Sequence, residues 1–176
     1  MGKRSAFRRR RQDYYPTPRG PVTALRGHLP RGVRFAEPCA GDGRLIDHLR
    51  AEIGAVCGYA GDVFPRRGDI LWRDALALDE AALRSCDVIV TNPPWKRELL
   101  HEMIDRFSAL RPTWLLFDAD WPHTRQSSAL MLRCAAVVPV GRVKWIARSK
   151  HTGKDNCCWY QFTADPRATV MHARAA

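Results

Sequence analysis

The sequence predicts an α/β fold: an open, mostly parallel sheet with helices on both faces, ending in an antiparallel hairpin. Three observations predict it. Short β-branched or aromatic runs alternate with stretches of helical periodicity over the first two thirds of the chain. The longest apolar runs, Asp87-Val88-Ile89-Val90 and Trp114-Leu115-Leu116-Phe117, suit strands buried on both faces and are far too short to span a membrane. The last two apolar runs lie too close for a helical crossover, so they pair antiparallel.

Taken in order, residues 1–12 hold Lys3, Arg4 and a run of arginines that includes Arg9 and Arg10, with little to bury. They read as a disordered basic arm, either gripping a phosphate backbone or simply solvated. A single domain follows over 13–165, then a C-terminal tail over 166–176. Residues 13–30 are rich in proline and glycine, with a short helical turn at Val22-Thr23-Ala24-Leu25. Strands are expected at 33–36, 55–60, 69–72, 87–91 and 114–118. Helices are expected at 44–53 and, through Leu99, Leu100, Met103, Ile104 and Phe107, at 96–110. A brief helix capped near Asp79 fits 79–84. Residues 127–135 read as a helix with Ala129, Leu130, Leu132 and Cys134 facing inward. Late strands at 136–140, 142–147 and 157–162 complete the sheet, with a hairpin turn across 148–156. Asp165-Pro166 ends the ordered pattern.

The chain has 176 residues, enough for one core and too few for two ordinary domains, and it is 45% apolar. No apolar signal region follows the basic N-terminus, so a cytoplasmic location is expected. The six cysteines form no C-x-x-C pair and show no zinc-like spacing. They read as small buried hydrophobes in a reducing compartment, and no metal is implied. A net charge of +11, from lysine and arginine spread along the whole chain, creates a field that captures polyanions. Nucleic acid is the favoured partner; no basic amphipathic helix suggests a membrane surface.

The first chemical constellation is Glu37-Pro38-Cys39-Ala40-Gly41-Asp42-Gly43, between a predicted strand and a predicted helix. Glycines in such a turn let backbone approach a ligand closely and leave helix N–H groups free. Cys39 stands where a first glycine would satisfy the strict dinucleotide fingerprint. Asp62 follows Gly43 by 19 positions at the end of the second strand, where a carboxylate accepts from ribose hydroxyls. The pair suits any adenosine-containing cofactor; the alternative is a tight turn with an exposed aspartate. The second constellation, Thr91-Asn92-Pro93-Pro94-Trp95, ends the fourth strand. Two prolines hold the chain extended at the lip of the sheet, which suits an amide oxygen and a carbonyl converging on one target.

With both in view, the chain resembles the class I S-adenosylmethionine-dependent methyltransferases that modify amino groups, above all the DNA adenine N6 enzymes. Asn92-Pro93-Pro94-Trp95 is similar to their catalytic tetrapeptide, and the segment with Glu37, Cys39, Ala40, Gly41 and Gly43 to their cofactor loop. The resemblance implies a Rossmann-like class I methyltransferase sheet and S-adenosylmethionine as cofactor. It places Asp62, with Val63 beside it, at the cofactor's ribose and Asp74, with Ala75, at its adenine. The Tyr15-Pro16-Thr17-Pro18 segment would reach the methionine carboxylate.

An adenine amine is a poor nucleophile because its lone pair is delocalised into the ring. Acceptance of its hydrogens by the Asn92 side-chain oxygen and the Pro93 carbonyl would favour a pyramidal nitrogen aimed at the sulfonium methyl. Such acceptors stabilise positive charge as it develops, and positioning supplies much of the remaining rate. Trp95 would stack on a base extruded from the duplex.

The sheet elements follow one another without room for a separate target-recognition domain, a compact layout that resembles phage-type enzymes. The late loop with Lys144, Arg148, Lys150 and Lys154 either reaches a groove or is a solvated hairpin tip. With Lys96, these residues imply binding dominated by phosphates and weak or short sequence preference. Asp118 and Asp120 read as capping and solvation, and Trp145 and Trp159 as packing of the late hairpin. Alternatives remain: RNA adenine, DNA cytosine N4 or protein glutamine as target, or a basic nucleic-acid-binding protein without catalysis.

Overall fold

The computed structural model describes residues 14–146, 150 and 152–174. The arm over 1–12 lies outside them, as do Arg9, Arg10 and Arg148. The expected sheet is present, with eight strands in the order β3-β2-β1-β4-β5-β7-β6-β8. The strands are β1 (Arg34–Glu37), β2 (Val56–Asp62), β3 (Leu71–Trp72), β4 (Val88–Thr91), β5 (Thr113–Asp118), β6 (Cys134–Arg142), β7 (Asn156–Phe162) and β8 (Val170–Met171). Strands β3, β2, β1, β4 and β5 run parallel, and β7 lies antiparallel to both β5 and β6.

The helices are α1 (Arg19–Thr23), α2 (Arg44–Ile53), α3 (Arg97–Leu110) and α4 (Ser128–Met131). Strand residues alternate between two apolar layers, as the period of two requires. Val88 and Val90, Trp114 and Leu116, and Trp159 pack with Leu45, Ile46 and Leu49 of α2. Ile89, Leu115, Phe117, Tyr160 and Phe162 pack with Leu100, Met103, Ile104 and Phe107 of α3. Burial on both faces explains why these strands read as unbroken apolar runs. Phe107 is fully buried at the centre of its layer, and truncating such a side chain to alanine costs about 3–5 kcal/mol. Helix α3 starts only at Arg97, because Pro93 and Pro94 cannot join a helix in mid-turn. Among the described residues no helix is long and apolar enough to cross a membrane.

Four expectations are corrected. The helix over 127–135 shrinks to α4, preceded by one 3₁₀ turn; Leu132 is 63% exposed and Cys134 already begins β6. Pairing with β7 and β8 fixes this segment, and no local signal encodes those partners. The strands at 136–140 and 142–147 are one strand, carried through irregular pairing around Pro139 and Gly141, and residues 143–146 are not extended into a ladder. Residues 79–84 form turns, although the Asp79 carboxylate does accept from the Ala82 N–H at 2.8 Å. Order continues past Pro166, since β8 adds to β6 in parallel.

Candidate active site

The strand order reverses between β1 and β4, the place where open α/β sheets form a ligand crevice beyond their carboxyl ends. A cavity of about 260 Å3 lies there, with Glu37 at the end of β1, Asp62 at the end of β2 and Asn92 just after β4 on its wall.

The β1–α2 turn is wound around two carboxylates. Glu37 is 1% exposed; its Oε1 accepts from the Cys39 N–H at 3.0 Å and from the Thr91 hydroxyl. Its Oε2, equally buried, has no hydrogen-bond partner among the described residues. Desolvation pushes this carboxyl up to about 8, with Asp62 adding and the two hydrogen bonds opposing. The Gly41 N–H donates to Asp62 Oδ2 at 2.8 Å, and the Phe64 N–H to Asp62 Oδ1 at 2.7 Å. The N–H groups of Ala40 and Gly43 go to the carbonyls of Gly61 and Ala40, and that of Arg44 to Asp42 Oδ1. The N–H groups of Cys39, Ala40, Gly41, Gly43 and Arg44 are therefore taken by side-chain and main-chain oxygens of the protein, while the expectation concerned the helix N–H groups that follow.

Two glycines have separate reasons. A Cβ on Gly41 would lie 3.0 Å from the Tyr14 ring, which closes over the turn. Gly43 has φ +79°, and a Cβ there would lie 2.2 Å from the Arg67 guanidinium. Gly43 shapes the turn and does not line the cavity; Cys39, Ala40 and Gly41 do.

Val63, Asp74, Ala75, Tyr15 and Thr17 also line the cavity. Asp74 Oδ1 accepts from the Leu76 N–H at 2.9 Å, capping the 3₁₀ turn Ala75–Ala77. Sequence reasoning missed Tyr14, Arg66, Leu76, Leu99 and Met103. The Arg66 guanidinium sits 3.9 Å above the Tyr14 ring. Burial and a hydrogen bond with Asp42 push the Tyr14 phenol up to about 12. The only available signal was its place beside Tyr15 in a proline-bounded segment.

The tetrapeptide is divided by the structure. The Asn92 Nδ2 donates to the Tyr15 carbonyl at 3.1 Å. A carbonyl can only accept, so the amide nitrogen must face it and Oδ1 is the atom left to accept elsewhere. Asn92 and Pro94 line the cavity; Pro93 and Trp95 do not. The half-buried Trp95 ties its Nε1 to the Leu116 carbonyl at 3.2 Å and meets the Trp145 ring edge-on, with centroids 6.0 Å apart. Trp145 also meets Tyr15, at 6.3 Å. Besides packing the late hairpin, as expected, Trp145 thus touches two residues at the site, Tyr15 and Trp95. Trp159 is buried as expected, its Nε1 donating to the Pro21 carbonyl at 2.8 Å. Lys96, Lys144, Lys150 and Lys154 are all exposed, Lys96 at the start of α3 beside Trp95. Asp118 Oδ1 accepts from the Asp120 N–H at 3.0 Å, the capping role expected of it.

The sequence matches no family model and no curated protein. Solved structures do resemble it. One carries the name of an RNA methyltransferase, from Pyrococcus horikoshii: TM-score 0.56, 14% identity, 93% of this chain and 94% of that one. A second is a dimethyladenosine transferase from Plasmodium falciparum: 0.54, 14%, 88% and 63%. A third is the M protein of the type I restriction enzyme EcoKI: 0.55, 12%, 88% and 47%. The chain spans about half the length of the EcoKI protein, at 47%, and under two thirds of the Plasmodium one, at 63%. The fold is that of the class I methyltransferases.

Within this methyltransferase fold, the charge of the cavity limits what it can hold. Among the described residues, Asp42, Asp62, Asp74 and the buried carboxyl of Glu37 line it against a single arginine, Arg66. With the N–H groups of Cys39, Ala40, Gly41, Gly43 and Arg44 already committed, a phosphate would meet carboxylates first. A ligand bearing positive charge, and donors for Glu37 Oε2, matches the wall better.

Proposed function

We propose that this chain transfers a methyl group from S-adenosylmethionine to the exocyclic N6 amine of adenine in DNA, with weak or short sequence specificity. The observation that carries the reading is the fixed Asn92 amide, whose oxygen is left to accept beside an acid-lined cavity at the end of β4. The cofactor's groups match the wall. Its ammonium would donate to Glu37 Oε2, which has no partner among the described residues, and would displace the proton that burial otherwise keeps on that carboxyl. Each oxygen of Asp62 accepts one main-chain N–H and keeps a lone pair for a ribose hydroxyl. Val63 and Ala75 would flank the adenine, Asp74 would receive its amine, and Tyr15 and Thr17 would bound the carboxylate end. The Cys39-Ala40-Gly41 main chain closes the floor, with Gly43 setting the turn. When bound, the cofactor supplies an electrophilic sulfonium methyl.

The chain's own residues do the rest. Asn92 Oδ1 and the Pro93 carbonyl accept the hydrogens of the target amine and stabilise the charge it gains. Pro94 holds that carbonyl in place, and Trp95 gives the base a rigid wall through its tie to β5. Net charge of +11 and the exposed Lys96, Lys144, Lys150 and Lys154 favour phosphate contacts over a separate recognition domain, with one catalytic domain over 13–165. RNA adenine is the second reading, favoured by the Pyrococcus protein, whose length the chain covers to 94%.

Purified protein with methyl-labelled cofactor, offered unmodified DNA and RNA, tests both readings. Label recovered as N6-methyldeoxyadenosine is expected. Label confined to RNA would move the assignment, and cofactor binding without transfer to any substrate would end it.

A further inference from the structure

We infer that Trp145 is a positioning residue: it holds the Asn92 amide in its accepting orientation by buttressing Tyr15. The inference rests on the reading of Asn92 as the acceptor of the target amine. Asn92 owes its orientation to one hydrogen bond, from Nδ2 to the main-chain carbonyl of Tyr15. Tyr15 lies in residues 14–18, which form no helix or strand, and its ring packs against that of Trp145. Trp145 meets Tyr15 edge-on at 6.3 Å and Trp95 at 6.0 Å, wedged between the segment that orients Asn92 and the aromatic residue of the tetrapeptide.

Trp145 is itself held from behind. The Gly153 N–H donates to the Val143 carbonyl at 2.8 Å, closing the base of the loop. A Cβ on Gly153 would lie 3.2 Å from the Trp145 ring and 3.0 Å from the Val143 carbonyl oxygen, so the glycine lets the loop press directly on the indole. The exposed Lys144 precedes the wedge and the exposed Lys154 follows the glycine. Phosphates drawn to these lysines therefore act on the same short loop that seats Trp145. The basic loop is thereby joined to the chemistry as well as to binding.

The chain has two asparagines, Asn92 and Asn156, so selective ¹⁵N-asparagine labelling gives two side-chain amide pairs, and Asn92→Asp assigns them. In Trp145→Ala the Asn92 pair is expected to shift and broaden, and in Trp145→Phe to stay near its wild-type position. Turnover on nucleic acid should fall about tenfold or more in Trp145→Ala, with cofactor Kd within about twofold and most of the rate restored by Trp145→Phe. Gly153→Ala, which crowds the indole and the Val143 carbonyl oxygen, should move the Asn92 pair less and serves if Trp145→Ala fails to fold. An Asn92 amide unmoved in Trp145→Ala or, in its place, in Gly153→Ala overturns the inference, as does a loss expressed only in KM. A shifted amide in a protein that never transfers methyl would uphold the link from Trp145 to Asn92 and overturn the methyltransferase reading instead.

Discussion

The proposed cofactor side and the proposed target side of the cavity are built by different means. On the cofactor side, the β1–α2 turn and the end of β2 commit main-chain N–H groups to Glu37, Asp62 and Asp42. On the target side, Asn92 and Trp95 meet Tyr15 and Trp145, from distant stretches of the chain, through ring edges and one carbonyl. The first arrangement is welded into the sheet and resists distortion. The second depends on long-range packing and can be loosened without unfolding the domain. Damage on the first side should therefore appear as lost affinity and stability, and damage on the second as lost rate.

The largest expected effect is on rate. Asn92→Ala should lower kcat about 100- to 1000-fold, the cost of removing one preorganised group at a developing charge, with little change in cofactor Kd. Single-turnover transfer and calorimetric titration measure the two. A cofactor affinity that fell as far as the rate would erase the contrast between the sides. Next comes Asp62→Ala. It removes a charged acceptor from the ribose position and from the Gly41 and Phe64 N–H groups. Cofactor Kd should rise about 10- to 100-fold and the melting temperature should drop, since each hydrogen bond to a charged group contributes about 1.5–3 kcal/mol. An unchanged Kd would remove Asp62 from the site.

Glu37 sharpens the comparison through pH. Burial holds its carboxyl protonated, at about 8 against an ordinary 4.5. The folded chain thus binds this proton more tightly than the unfolded chain does. The stabilisation is complete below about pH 4.5 and is lost as pH rises through about 8. Without cofactor, wild-type melting temperature should decline from about pH 5 to 9, and Glu37→Gln should flatten that decline. Circular dichroism melts decide it; parallel curves for the two proteins would assign the pH dependence elsewhere. The smallest effect is expected from replacing Lys144, Lys150 and Lys154 together with alanine. Each lost phosphate contact should reduce the salt dependence of DNA binding by about 0.9 in log–log slope. Anisotropy titrations across salt concentrations would show it, and an unaltered slope would leave this loop solvated and idle.

The same contrast explains what the sequence disclosed. Glu37 to Gly43 and Asp62 were legible because a welded turn needs particular residues at close spacing, and the proline pair after Asn92 marks a strand end by local sterics alone. Tyr14 and Arg66 were not legible. Their relation to Gly41 and Asp42 exists only once the chain has folded back over the turn. The contacts of Trp145 with Tyr15 and Trp95 were not legible either, because periodicity says nothing of where a loop returns. The misplaced helix at 127–135 has the same origin: β6 is a strand because β7 and β8 flank it. In the parallel half, where each strand is followed by its own crossover, the predicted boundaries moved by only a few residues.

Strand β7 sits between β5 and β6, so the outer edge of β5, from Thr113 to Asp118, gains its neighbour only when Asn156–Phe162 arrives. Chains are synthesised at about 5–20 residues per second, which leaves that apolar ladder bare on the ribosome for roughly several seconds. A bare edge of this kind templates pairing with another chain. Translation that stalls between these two strands should therefore release a species prone to aggregate, which makes the timing of elongation part of how this fold is obtained intact.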